Sequence, residues 1–173
     1  ASRGLGDVYK RQISRLSQVL SDGLDLVITN IWISAYLMGE LSIAQQIPTY
    51  ISTLTNTLIN LFSPNLTMYY AKDDTEAVVK ELKLSMKFSS FFVNIIFCIL
   101  VIFGKYFMQL WVPNQDVNLI YSLLVVIMMS LLVSGVTTSL NNVFLVTNRL
   151  KVNSIFWLII SFTNVLLVFI FLN

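Results

Sequence analysis

An all-α polytopic membrane protein of about five transmembrane helices is the fold class this sequence predicts, and three observations carry the prediction. Of its 173 residues, 56% are hydrophobic and only 12% charged, with a mean hydropathy of +0.76. No water-soluble domain needs that balance. Apolar runs of spanning length recur along the chain, separated by short polar connectors. The third observation is a polar stripe. In residues 43–70, IAQQIPTYISTLTNTLINLFSPNLTMYY, the side chains of Gln45, Thr49, Ser52, Asn56, Asn60, Ser63 and Thr67 follow one another at steps of three or four and share a helical face, while Ile47, Ile51, Leu54, Leu58, Leu61 and Leu66 cover the rest. Amides and hydroxyls need partners that hydrocarbon does not give, so this face is expected against protein or water. Hydrogen bonds between bundled helices would satisfy any one of these groups. For seven in register, one wall of a hydrophilic cavity is the better explanation.

The counts exclude several chemistries. Histidine is absent, which removes the usual proton shuttle and the commonest metal ligand, and no cofactor or metal site is expected. The single cysteine, Cys98, lies in an apolar run and precludes a disulfide within the chain.

Residues 1–12 read as a non-native tail. Ser2 to Gln12, SRGLGDVYKRQ, resembles a translated transposase-type sequencing adapter at all eleven positions. Setting the tail aside removes Arg3, Lys10, Arg11 and Asp7 from eleven basic and nine acidic residues, leaving eight of each. The zero balance gives no reason to expect a nucleic-acid partner. An adapter joined to the reading frame also predicts a fragment that lacks its N-terminal part, with residues 13–173 forming part of a transporter lobe.

The first span is expected over 13–38. Ser14, Gln18, Asp22, Asp25, Thr29 and Tyr36 share one face of it, with Asp22 and Asp25 near mid-depth. An ionised carboxylate there costs about 2.5–3.5 kcal/mol on insertion scales, so the pair calls for an aqueous cavity, a cation or a proton. A turn at Gly39 and Glu40 leads to the second span, 43–70, in which Pro48 sits within the first turn or two and Pro64 is expected to kink the last turns.

Residues 71–87 read as a charged connector and the start of an amphipathic helix, capped by Asp73, Asp74 or Thr75. The third span, 84–104, reads as scaffold ending at Gly104, with Tyr106, Phe107 and Trp111 as an interfacial aromatic belt. The fourth, 117–146, carries a weaker polar stripe of Ser130, Ser134, Thr137, Thr138 and Asn141, and Gly135 allows close approach of another helix. The fifth occupies 153–172. Alternation places Arg15, Lys72, Lys80, Lys83, Lys87, Arg149 and Lys151 on one side against Lys105 on the other, and the basic side is expected in the cytoplasm.

A series of residues then resembles a known family. Leu24–Asp25, the polar second span closing on Ser63–Pro64, the lysine-rich loop, Phe103–Gly104–Lys105–Tyr106–Phe107, Leu110–Trp111 and Asn148–Arg149–Leu150–Lys151 before a span with Asn164 resemble the polysaccharide transporter branch of the multidrug/oligosaccharidyl-lipid/polysaccharide exporter superfamily, the Wzx-like O-antigen and capsule flippases. The resemblance covers most of 13–173 as roughly the first five spans of the C-terminal lobe. It departs at Gly39–Ser42, where the family continues through a Gly-Ile-Tyr-like stretch.

The resemblance implies a two-lobed transporter of twelve or more helices working by alternating access in the bacterial cytoplasmic membrane. Its cargo would be an undecaprenyl-pyrophosphate-linked oligosaccharide, with a glycan polymerase and glycosyltransferases as further partners, and it would not be an enzyme. On that reading Gln18, Thr29, Gln45, Thr49, Ser52, Asn56 and Asn60 line the glycan path, since hydroxyls and amides suit sugar hydroxyls. Arg15 is the pyrophosphate candidate, against the plainer role of a positive-inside anchor. Asp22 and Asp25 carry proton or sodium coupling, or pair with a basic residue. A drug or cation antiporter of the same superfamily is the alternative, expected to show an acidic and aromatic cavity. A membrane-embedded polysaccharide-synthesis enzyme would instead need catalytic acids or a histidine on an extramembrane loop.

Overall fold

The computed structural model describes residues 26–147, together with Gly23, Ile155, Ile159, Ile160, Phe162, Thr163, Leu166, Leu167 and Ile170. Among the described residues there is helix and no strand. The chain divides into two compact units, Ala1–Met38 with Asn148–Asn173, and Gly39–Thr147.

In the first unit a single π-helical turn, Thr29–Ile33, ends where Ser34 adopts an extended backbone. Ser34 then starts the next helix: its Oγ accepts the Leu37 N–H at 3.1 Å, the arrangement of an N-cap. The described positions from 155 to 170 are helical and exposed, and Thr163 Oγ1 donates to Ile159 O within its own helix.

The second unit consists of four helices: the main part of α1 (Ala35–Asn60), then α2 (Ser63–Ala71), α3 (Thr75–Trp111) and α4 (Val117–Val146). The turn expected at Gly39–Glu40 is not formed. Helix α1 runs straight through both residues, and Glu40 is 1% exposed. Pro48 therefore lies in the helix interior and not near its start, removing the N–H that the Ala44 carbonyl would otherwise accept.

The span expected over 43–70 is divided in two. Leu61 and Phe62 form a tight turn, their N–H groups bonding back to Leu58 O and Ile59 O, and α2 restarts with Pro64 at a position where the missing donor costs little. Helix α2 ends before Asp73, which takes a positive φ of 55°; aspartate tolerates that left-handed backbone better than most residues. Asp74 caps α3, its Oδ1 accepting the Ala77 N–H at 3.0 Å.

Helix α3 does not stop at Gly104 but continues to Trp111. Glycine is helix-tolerant at a cost of about 1 kcal/mol, and here its missing side chain makes room. A Cβ at Gly104 would lie 3.2 Å from the Tyr121 ring, and the Tyr121 hydroxyl donates to Val101 O at 2.7 Å. Asp116 Oδ1 accepts the Asn118 and Leu119 N–H groups and so caps α4. Among the described residues, α3 and α4 are the two helices long and apolar enough to cross a membrane, which points to a membrane location. Helix α1 is long enough, but the polar residues along one side lower its hydropathy.

Helices α3 and α4 lie backbone-close along much of their length, while α1 approaches them mainly through side chains. The apolar core joins Ala44 and Ile51 of α1, Met108 of α3, and Ile120, Leu124 and Met128 of α4. Gly135 is where another helix comes near: a Cβ there would meet Val93 Cγ2 at 3.1 Å. Such close approach suits helices that associate in lipid by van der Waals packing.

Candidate functional site

The interior of the second unit is zoned along the helix axes. Around Ala44, Met108 and Ile120 it is apolar except for the buried Glu40 carboxylate at its edge. Toward Ile59, Ser85 and Asn142 it turns polar. There the buried Ser85 and Ser139 hydroxyls lie 3.1 Å apart, Ser89 Oγ donates to Met86 O, and the Asn142 amide donates to Ile59 O at 3.3 Å.

Beside this polar zone is a cleft lined by Ser52, Thr55 and Asn56 of α1, Val93 of α3, and Leu131, Ser134, Gly135 and Thr138 of α4. Its free space is about 10 Å³, the room of about one water molecule. Two polar stripes that are separate in the sequence come together in it. Ser52 and Asn56 belong to the stripe of α1, Ser134 and Thr138 to that of α4.

The four threonines of α1 find partners in their own helix. Thr49, Thr53, Thr55 and Thr57 donate to the carbonyls of Gln45, Thr49, Ile51 and Thr53, and in α2 Thr67 donates to Ser63 O. A threonine bonded to the carbonyl four residues back does not need a neighbouring helix. Helix α1 buries Glu40, Ala44, Pro48, Ile51, Thr55 and Ile59. The stripe of Gln45, Thr49, Ser52, Asn56 and Asn60 borders that face without entering it: Gln45 and Ser52 are half-buried, and Thr49, Asn56 and Asn60 are exposed. The polar side of α1 is also broader than the stripe, because Gln46, Thr53 and Thr57 are exposed next to it.

Of the glycan-path residues expected from sequence, Ser52 and Asn56 line the cleft. Gln45, Thr49 and Asn60 share their side of α1 but lie outside it. Thr29 lies in the π-helical turn of the other unit. Arg15, Gln18, Asp22 and Asp25 fall outside the described residues.

Sequence reading passed over Glu40. Its Oε1 accepts the Asp116 N–H at 3.4 Å, joining α1 to the residue that caps α4, and its Oε2 holds no hydrogen bond. A carboxylate beside the first turn of a helix meets the positive end of the helix dipole. A lone acid between apolar stretches was the available signal, but placing it in a turn concealed it. Among the described residues, no three metal-ligating side chains cluster.

No protein-family model, curated protein or solved structure matches the chain.

Proposed function

We propose that this chain belongs to one lobe of a multi-pass transporter that moves lipid-linked oligosaccharides across the bacterial cytoplasmic membrane, in the manner of the Wzx-like flippases it resembles. The observation that carries the reading is the pairing of Ser52 and Asn56 with Ser134 and Thr138 across one cleft. Hydroxyls and amides both donate and accept, as sugar hydroxyls do, and the cleft presents them without a carboxylate. With room for about one water molecule it is closed to a sugar in this conformation, and α1 would have to move away from α4 to admit one. That lining favours a glycan over the flat cations of a drug antiporter. The protein acts as a carrier and not as a catalyst.

Alternating access needs a helix able to move against its neighbours. Helix α1 suits that role, since its backbone stands off from α3 and α4 and its continuity ends at Leu61–Phe62. Arg15 would meet the pyrophosphate, and Asp22 with Asp25 would couple transport to protons or sodium.

The test is genetic. The chain, with its flanking sequence from the source DNA, is placed in a bacterium whose own O-antigen flippase is deleted. Restored surface polysaccharide supports the reading. Continued accumulation of lipid-linked repeat units on the inner leaflet, with the protein present in the membrane, rejects it.

A further inference from the structure

We infer that the groove between α3 and α4 at Lys87 is a docking site for an anionic glycerophospholipid, with the lipid phosphate on the lysines and an acyl chain against Phe91. This rests on the membrane-spanning reading of α3 and α4, but not on the identity of the transported substrate.

Lys80, Lys83, Lys87, Ser90 and Asn94 follow one another along α3 at steps of three and four, so they share one face. Among the described residues none of the three lysines forms an ion pair. The lower part of that face opens into a groove of about 460 Å³ lined by Met86, Lys87, Ser90, Phe91 and Asn94 of α3 and Val136 of α4.

The order of side chains down the groove matches the order of groups in a lipid. From Phe88 to Trp111 the helix rises roughly 35 Å at 1.5 Å per residue, slightly more than the ~30 Å hydrocarbon core. That register puts Lys87 at the headgroup boundary and Lys83 and Lys80 further into water. Phe91, 67% exposed, then lies just inside the hydrocarbon, with Val136 of α4 across the groove and Met86 at its upper end. Below Phe91 the Asn94 amide donates to Ser90 O at 2.8 Å, so this polar side chain has a partner within α3 at hydrocarbon depth. A cationic rim over an apolar slot fits a negatively charged headgroup with its chain attached. A soluble anion would leave the slot empty, and a zwitterionic lipid would bring a second cation toward the lysines.

The test uses the full chain purified in detergent, with native mass spectrometry of bound phosphatidylglycerol and phosphatidylcholine. After reconstitution into liposomes, a spin label on Cys98, exposed on α3 and the single cysteine, reports whether that helix is in lipid. The wild-type protein is expected to retain phosphatidylglycerol over phosphatidylcholine, with Lys87→Gln lowering that retention about fivefold and Lys83→Gln adding to the loss. Equal retention of the two lipids overturns the inference, as does unchanged retention in Lys87→Gln. Displacement of phosphatidylglycerol by millimolar inorganic phosphate also overturns it, since the site would then read phosphate alone. A Cys98 label more accessible to oxygen than to a polar nickel reagent supports the membrane reading. The reverse defeats that reading and this inference together.

Discussion

Ser85 and Ser139 meet inside the α3–α4 interface, both fully buried, with hydroxyl oxygens 3.1 Å apart. Small polar residues at that point let the two backbones approach and give each buried hydroxyl a partner where no solvent reaches. A double-mutant cycle with Ser85→Ala and Ser139→Ala is expected to show a coupling of about 0.6 kcal/mol, measured as unfolding free energy in bicelles. Independent effects of the two substitutions would mean that the contact contributes nothing.

Gly135 tests the same interface by volume. Because a Cβ would sit 3.1 Å from Val93 Cγ2, Gly135→Ala is expected to be mildly destabilising and Gly135→Leu to cost about 1–3 kcal/mol by overpacking. Adding Val93→Ala should return most of the loss for Gly135→Ala. Thermal unfolding of the single and double variants decides it.

Glu40 links α1 to the capped start of α4 through the Asp116 N–H. Glu40→Gln keeps an acceptor and nearly the same volume, so its stability is expected to lie close to the parent. Glu40→Ala removes the acceptor and leaves a cavity, for a cost of about 1–3 kcal/mol. Equal loss in the two variants would show that charge, and not the hydrogen bond, holds this junction.

The cleft makes a graded prediction for transport. Asn56→Leu and Ser134→Val remove groups that line it, and each is expected to slow glycan flipping in reconstituted vesicles by up to about tenfold. Thr53→Val and Thr57→Val alter outward hydroxyls bonded within α1 and should leave the rate within about twofold. Equal effects in both sets would remove the cleft from the path.

Asp74→Ala should weaken the start of α3 by about 1 kcal/mol, since the Ala77 N–H loses its acceptor. Asp73→Ala removes no such bond, but it places alanine at a φ of 55°. Replacing Asp73 by glycine is therefore expected to be the milder change, and denaturation midpoints of the three variants rank them.

The residues carried different amounts of this in their order. The threonine and amide spacing of α1, the aspartate start of α3, the close approach at Gly135 and the apolar length of α3 and α4 are local or periodic properties. A helix of 3.6 residues per turn settles which side chains share a face before anything packs. The sequence by itself thus determined a helical, apolar chain and the membership of each face. Tertiary structure decided which face is buried, because that depends on the neighbours. Gly104 ends nothing once Tyr121 occupies its space, and Glu40 is buried only because α1 continues past the turn expected there. The meeting of Ser52 and Asn56 with Ser134 and Thr138 joins residues some eighty positions apart, and no periodicity within either helix can specify the rotation that brings them face to face.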